Sequence, residues 1–272
     1  MQKYSFFLNY QNIFAFFSKK VYLCSQNVKK MELHVIAHAK NGFVDKFGIP
    51  RQSRSDSGIE THIIFEPTYA VRESLRGIEE FSHLWLLWGF SEVEKERDGV
   101  DSWSPTVRPP RLGGNKRVGV FATRSPYRPN PVGLTSVKLL RVEEKNGALE
   151  LVVSGADLLN GTPIYDIKPY LSYSDSHPDA KNGFADEVKE HRLEVDWGEF
   201  AEVQRLGSVS HTSRMPMEIF RDLTEILSQD PRPAYQEDPN REYKLDYAGY
   251  NITFSVQNLT LFVKNITFSN KK

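Results

Sequence analysis

The sequence of 272 residues contains one cysteine, Cys24, and no excess of either charge. A single cysteine excludes an intramolecular disulfide and favours a reducing compartment such as the cytoplasm. Lysine and arginine together number 35, as do aspartate and glutamate, so net charge does not indicate a polyanionic partner. A neutral total can nevertheless include a local basic face.

Long apolar runs and several familiar motifs are also missing. No stretch of ~18 apolar residues is present, so we expect no membrane span. The sequence lacks a Gly-x-Gly-x-x-Gly after a strand, a phosphate-binding loop, Cys-x-x-Cys and the hydrolase motif Gly-x-Ser-x-Gly. His34 and His38 would share one face of a strand but lie too far apart for one zinc ion, so the sequence predicts no metal site.

Residues 1–30 differ from the rest of the chain, being rich in Phe, Tyr and Asn and free of acidic residues. Polar residues interrupt their apolar runs, which is not typical of a signal peptide. Met31 then opens the strand-like run "MELHVIAHAKNGF". We therefore expect residues 1–30 to be a non-essential extension; a targeting segment is the alternative.

From residue 31 to about 209, short apolar runs are bounded by Gly, Pro, Asn or charged clusters. Their spacing is typical of a β-barrel or a β-sandwich rather than of alternating strands and helices. The Asn-Gly pair at 146–147 predicts a two-residue hairpin turn. The run "YAVRESLRGI" (69–78) predicts an α-helix with its apolar residues on one face.

The character changes after residue 209. The stretch "RMPMEIFRDLTEILSQD" has helical periodicity, and "YNITFSVQNLTLFVKNITF" alternates like one or two strands. We therefore predict a mainly β fold, in which residues 31–209 form a β-barrel domain and residues 210–272 form a small α+β C-terminal domain.

One segment, "GVFATRSPYRPNPVG" (119–133), has more rigidity than a turn needs. Its three prolines each fix φ near ~−65° and remove a backbone donor. The same segment contains Arg124 and Arg128. A turn of this kind is suited to holding side chains or carbonyl groups in place.

Three further segments are weak signals when taken singly. "GIPRQSRSDSG" is also typical of a solvated basic turn, and the histidine in "FSHLW" is also typical of a satisfied core residue. In "DLLNGTPIYDIKPY", strand alternation puts Tyr165 and Ile167 on one face, and Ile164, Asp166 and Lys168 on the other. Asp166 and Lys168 could form an ordinary ion pair.

Together, and in their order along the chain, the four segments resemble a known family. It comprises the S-adenosylmethionine-dependent tRNA methyltransferases that methylate N6 of threonylcarbamoyladenosine, the modified base beside the anticodon. The C-terminal "DPRPAYQ" extends the resemblance, which covers roughly Met31 to the last strand. It implies a β-barrel catalytic domain, S-adenosylmethionine as cofactor, tRNA as partner through its anticodon stem-loop, and a homodimer.

The resemblance also implies roles for residues. Arginine suits a carboxylate or phosphate because its planar fork donates two hydrogen bonds. The implied cofactor pocket comprises Pro50, Arg51, Gln52, His83, Leu84, Arg124, Arg128, Asn130, Leu159, Asn160, Gly161, Thr162 and Pro163. Asp166 is the candidate base, with Tyr165 and Lys168 assisting. The candidate tRNA-binding residues are Arg108, Arg111, Lys116 and Arg117, for which a solvated loop is the alternative.

Two other classes of function stay open at this point. One is a non-catalytic RNA-binding barrel, and the other is an S-adenosylmethionine-dependent enzyme acting on a small metabolite. Cofactor binding would distinguish the methyltransferase from the RNA-binding barrel. Dependence on tRNA would distinguish the methyltransferase from the metabolite enzyme.

Overall fold

The structure is a computed structural model, and residues Val35–Lys272 form one compact unit. It describes residues 32–50, 52–53, 57–90, 103–109, 112, 116–145, 147–187, 192–200, 215–232 and 238–268. The strands are β1 (Ala37–Lys40), β2 (Glu60–Phe65), β3 (His83–Gly89), β4 (Thr106–Val107), β5 (Val118–Gly119), β6 (Val132–Lys145), β7 (Ala148–Ser154), β8 (Pro163–Pro169), β9 (Glu194–Asp196), β10 (Tyr243–Tyr247), β11 (Tyr250–Gln257) and β12 (Thr260–Phe268). The α-helices are α1 (Ser172–Asp175) and α2 (Met217–Ser228).

Six strands form an antiparallel sheet that closes on itself. Around this ring the order is β1-β2-β7-β6-β3-β8, and β1 pairs with both β2 and β8. At the β6–β7 hairpin, Lys145 pairs with Ala148, and Gly147 has a φ of 78°. Such a positive φ is what an Asn-Gly turn provides. The predicted mainly β fold and the predicted hairpin are confirmed.

Strand alternation separates the two sides of the ring. In β3, His83, Trp85 and Leu87 face outward and are partly exposed. The interior is filled by alternate apolar residues of the strands, among them Ala37, Ile63, Leu84, Leu86, Val137, Leu151 and Ile164. The outer side of β6, β3 and β8 is therefore available for polar residues.

The C-terminal part forms a second sheet with its own core. Its strand order is β10-β11-β12-β9, with β9 parallel to β12. Helix α2 packs onto this sheet through Leu223, Ile226 and Leu227, as its periodicity predicts. Phe43, between β1 and β2, joins the same core and bridges to Tyr247. The loop after β1 thus ties the ring to the second sheet.

Two differences from the sequence-based expectations concern local elements. Over residues 69–78 the α-helix prediction is wrong: 3₁₀ helices form at Arg72–Leu75 and Ile78–Glu80. Gly77 separates them with a φ of 84°, and a left-handed residue interrupts an α-helix. Strand β9 precedes the predicted domain boundary at 209/210 and yet belongs to the C-terminal sheet. The division of the chain into two domains stays a prediction.

Among the described helices, none combines the length and the apolar character that a membrane span requires. Residues 1–30 lie outside the described residues, and the expectation that they are dispensable stays a prediction.

Candidate active site

The proline-rich segment 119–133 begins with a 3₁₀ turn and then forms a loop that leads into β6. Arg128 braces this loop. Its Nε donates to the carbonyl oxygen of Ser125 at 2.9 Å, and its Nη2 donates to the carbonyl oxygens of Thr123 and Val120. The guanidinium of Arg128 is therefore engaged with the backbone of its own segment, which makes it a structural arginine in this conformation.

Arg124 has a different environment. Its side chain is exposed, and Nη1 donates to Oε1 of Gln52. The neighbouring Ser53 donates from Oγ to the carbonyl oxygen of Ser136 in β6 at 2.8 Å. Residues 52–53 thus link Arg124 to strand β6. Arg51 lies outside the described residues.

Beside Arg124 lies a cavity of about 980 Å³, which is within the size range of small-molecule sites. Its lining combines aromatic and aliphatic side chains with a few polar groups. Among the residues that line it are Phe47, Pro50, Gln52, Arg124, Tyr127 and Ile226. The structure therefore brings Pro50, Gln52 and Arg124 together from two distant parts of the chain.

Four basic residues line the same cavity: Lys46, Arg108, Arg117 and Arg124. The one acidic residue in the described lining, Asp230, is paired with Arg232 at 2.8 Å. This balance gives the cavity a positive character suited to an anionic ligand. Two of the candidate tRNA-binding residues, Arg108 and Arg117, are thus at the cavity.

The other two candidate tRNA-binding residues are placed differently. Lys116 is exposed and directly precedes Arg117, whose Nε donates to Thr106 Oγ1 at 2.9 Å. Arg111 lies outside the described residues. The small β4–β5 hairpin therefore presents Arg117 and Lys116 next to the cavity.

Asp166 and Lys168 share the outer face of β8. The Lys168 Nζ atom lies 2.7 Å from Asp166 Oδ2, and the two side chains are 71% and 42% exposed respectively. Across the β3–β8 ladder, Asp166 pairs with Leu87 and Lys168 with Trp85. The carboxylate is thus ion-paired and still accessible to a ligand.

A β-bulge in β8 overturns one expectation about these residues. The ladder shifts register so that Leu87 pairs with Asp166 while Trp88 pairs with Ile164, which leaves Tyr165 as the extra residue. Ile164 is consequently buried inside the ring. The prediction that Ile164 shares a face with Asp166 is wrong, because the bulge reverses the alternation at Tyr165.

His83 and Leu84 begin β3 at the end away from the bulge. His83 Nδ1 lies 2.9 Å from Ser82 Oγ on the outer side. The side chain of Leu84 is fully buried in the interior, so only its backbone could meet a ligand. Its expected role as apolar cover for adenine is therefore not possible in this conformation.

The turn at residues 159–163 lies at the opposite end of β3. Asn160 accepts a hydrogen bond from the backbone of Asn41, and Thr162 Oγ1 donates to the carbonyl oxygen of Leu159. The φ of Gly161 is 81°. Since β3 has seven residues, His83 and this turn are separated by ~20 Å along the strand. Within one chain the residues assigned to the cofactor pocket thus form two groups.

Asp157 is a partly buried acid to which sequence reasoning gave no role. Its Oδ1 accepts a hydrogen bond from Thr135 Oγ1 at 2.7 Å, and that hydroxyl also accepts one from Trp88 Nε1 at 2.9 Å. Burial raises the pKa of Asp157, and the hydrogen bond from Thr135 and the charge of Arg124 oppose the rise. The positive charge of Arg124 thus acts to lower the pKa of Asp157.

Sequence reasoning also gave no role to Lys46 and Tyr127, which line the cavity. Tyr127 lies inside "SPYRPNP", so the signature itself could have indicated it, as "DLLNGTPIY" could have indicated Asp157. No sequence signal indicates Lys46. Asn130 is exposed near the end of the proline-rich loop and is not among the lining residues.

Comparison with known proteins adds a family to this geometry. Residues 38–176 match the model of the tRNA-methyltransferase O N-terminal domain, and residues 190–269 match that of the corresponding C-terminal domain. A protein of Escherichia coli strain K12 named tRNA (adenine(37)-N6)-methyltransferase is 36% identical over 234 residues, which is 84% of this chain and 94% of that protein.

Two further comparisons agree. A Pseudomonas aeruginosa protein, RcsF, whose name describes S-adenosylmethionine-dependent methyl transfer, is 40% identical over 76% of this chain and 85% of its own length. The crystal structure of TrmO from P. aeruginosa superposes with a TM-score of 0.65 at 29% identity, covering 89% of this chain and 99% of that one. The chain belongs to the tRNA-methyltransferase O family.

Proposed function

We propose that this protein transfers a methyl group from S-adenosylmethionine to N6 of adenine 37 in tRNA, and that the acceptor base is threonylcarbamoyladenosine. The observation that carries the proposal is the braced, arginine-bearing loop at the edge of the cavity, within a chain whose relatives carry that activity in their names. The finer assignment of the acceptor rests on the sequence resemblance.

The described residues fit S-adenosylmethionine by size and by chemistry. The cavity of about 980 Å³ is large enough for a nucleoside-sized ligand. Arg124 can donate two hydrogen bonds to a carboxylate, and Gln52 already holds its guanidinium in place. Phe47 and Tyr127 supply aromatic surface. When bound, S-adenosylmethionine supplies the electrophilic methyl group.

The chain itself must orient the acceptor nitrogen and accept its proton. We assign proton acceptance to Asp166, because its carboxylate is accessible on the outer face of β8. Lys168 fixes the orientation of this carboxylate. The alternative role for Asp166 is an ion pair with Lys168 that takes no part in catalysis.

The basic cavity lining suits the polyanionic substrate. Lys46, Arg108 and Arg117 can contact phosphates, which give binding that depends strongly on salt. Bases in a loop are open to stacking, and Tyr127, which is 47% exposed, offers an aromatic face. We therefore expect the anticodon stem-loop to lie across this side of the molecule.

A homodimer would unite the two groups of candidate cofactor-binding residues. His83 and the turn at 159–163 lie at opposite ends of β3, too far apart for one small ligand. A two-fold axis brings the same patch of two chains together, so one end of β3 in one chain can meet the other end in its partner. Leu134, 57% exposed on the outer side of β6, is an apolar residue suited to such an interface.

The proposal is tested by methyl transfer to defined tRNA. The full chain is incubated with isotope-labelled S-adenosylmethionine and tRNA with or without threonylcarbamoyladenosine, and nucleosides are analysed by mass spectrometry. We expect labelled methyl groups only on the threonylcarbamoyladenosine of modified tRNA. Equal methylation of the free nucleoside would indicate a metabolite enzyme, and tRNA binding without cofactor binding would indicate a non-catalytic RNA-binding protein.

A further inference from the structure

Three titratable residues meet on the outer side of the ring, on the strands β2, β7 and β6. Glu143 and Glu150 are directly opposed across the β6–β7 ladder. His62 of β2 lies on the same side. It is placed diagonally to Glu150, because the residue directly opposite Glu150 is Ile64, two positions after His62. These residues are far apart in sequence, and none of them lines the cavity beside Arg124.

The distances within this cluster are close to those of a metal site. His62 Nδ1 lies 3.3 Å from Glu150 Oε2 and 3.8 Å from Glu143 Oε1. All three ligand atoms lie within 4.8 Å of one another. Ligands held at about 2.0–2.2 Å from zinc in a tetrahedron are roughly 3.3–3.6 Å apart. Shifts of a few tenths of an ångström to about one ångström would complete such a coordination geometry.

Glu150 provides the independent indication of a ligand. The residue is only 4% exposed, and its Oε1 atom has no hydrogen-bond partner among the described residues. A buried, unsatisfied carboxylate oxygen is costly, and like charges directly opposed on a sheet destabilise it further. A cation between His62 and the two glutamates would remove both costs.

The surrounding charges leave the cluster negative. Arg141 donates from Nε to Glu143 Oε2 at 3.3 Å and forms a two-pronged pair with Glu60 at 2.9 Å. Arg221 also acts on Glu60 electrostatically. Three carboxylates thus face two guanidinium groups, which leaves a net negative charge when His62 is neutral. Arg141 also orients Glu143, as residues behind metal ligands commonly do.

We propose that His62, Glu143 and Glu150 bind a divalent transition-metal ion, with zinc as the best fit to one imidazole and two carboxylates. Water completes the coordination, since the side chains of His62 and Glu143 are 26% and 32% exposed. The ion ties β2, β7 and β6 together. Histidine spacing predicted no metal site, because only strand pairing brings these three ligands together.

Zinc titration of the metal-stripped full chain tests the proposal. After EDTA treatment and desalting, isothermal titration with zinc chloride should show one tight site, and zinc should raise the melting temperature. Glu150→Gln, which keeps the shape but removes the charge, should weaken this site at least tenfold. Glu144→Gln is the matched control, because Glu144 follows Glu143 on the same hairpin and its side chain is exposed. This substitution should leave the zinc affinity unchanged.

A second variant separates lost binding from lost folding. His62→Asn should also weaken the zinc site at least tenfold, and the circular dichroism spectrum of each variant reports whether the ring is intact. Cobalt(II) bound to the wild type should give visible absorption bands of a low-coordinate site, absent in both variants. Wild-type protein that binds no zinc, or Glu150→Gln that binds it as tightly as wild type, would overturn the proposed metal site.

Discussion

The two arginines of the proline-rich loop occupy different environments, and mutation should separate their roles. Arg124→Ala should weaken S-adenosylmethionine binding about 10- to 100-fold, the cost of removing a charged hydrogen-bond donor, with the melting temperature unchanged because Arg124 is exposed. Arg128→Ala should destabilise the fold by about 1–3 kcal/mol, because carbonyl groups lose their donor. Isothermal titration measures the cofactor affinity, and urea unfolding measures the stability. Loss of stability in Arg124→Ala and loss of cofactor affinity in Arg128→Ala would contradict these assignments.

Asp166 should act in the chemical step. Asp166→Asn keeps the shape of the side chain but removes its ability to accept a proton, so single-turnover methylation should fall roughly 10²- to 10⁴-fold. Cofactor affinity and melting temperature should change little, because the Asp166–Lys168 pair is exposed and such pairs contribute little stability. Methylation at the wild-type rate would leave Asp166 as a simple ion-pair partner.

The partly buried carboxyl group of Asp157 should make the stability of the protein depend on pH. Burial raises its pKa above the ordinary value of 3.8, so the folded state binds its proton more tightly than the unfolded state does. Its contribution to the free energy of unfolding therefore declines as pH rises from that ordinary value through the raised pKa. Relative to wild type, Asp157→Asn should be more stabilising at pH 8 than at pH 5. Urea unfolding of both proteins at the two pH values tests this, and a pH-independent difference would contradict it.

At the scale of the element, the pairing of β3 with β6 depends on the close approach of the Trp88 ring to Gly133. A Cβ atom on Gly133 would lie 2.3 Å from the Trp88 ring, and Trp88 cannot move freely because its Nε1 donates to Thr135. Gly133→Ala should therefore lower the free energy of unfolding by about 1–3 kcal/mol.

Gly119→Ala is the control for this prediction. Gly119 has a φ of −60°, and no atom lies within 4 Å of an added Cβ. Urea unfolding should show little change in its stability. Equal effects of the two substitutions would mean that backbone entropy, rather than the contact with Trp88, decides the outcome.

At the scale of the whole molecule, the proposed homodimer can be tested through Leu134. A charge at this exposed position of β6 should separate the chains and weaken cofactor binding, if residues of both chains form the pocket. Light scattering after gel filtration should show a dimer for wild type and a monomer for Leu134→Glu. Leu259→Glu is the control, since Leu259 is 59% exposed in the C-terminal part of the chain. A monomeric wild type would contradict the proposal.

The sequence determined most of the local elements, although not the 3₁₀ helices at Arg72–Leu75 and Ile78–Glu80. Alternation over short apolar runs indicated the strands of the ring, helical periodicity indicated α2, and the Asn-Gly pair indicated the β6–β7 turn. These patterns involve residues that are neighbours in the chain, so local backbone geometry and burial are sufficient to specify them. The segments that lie around the candidate site were selected through their resemblance to a known family.

Only the tertiary structure decided which of the selected residues meet. The bulge at Tyr165 arises from pairing with β3, and it buries Ile164 while leaving Asp166 outside. Arg124 and Arg128 look equivalent in sequence, yet contact with Gln52 distinguishes one from the other. The His62 cluster assembles only when three strands pair. Strand register and ring closure depend on contacts between distant segments, which local periodicity does not encode.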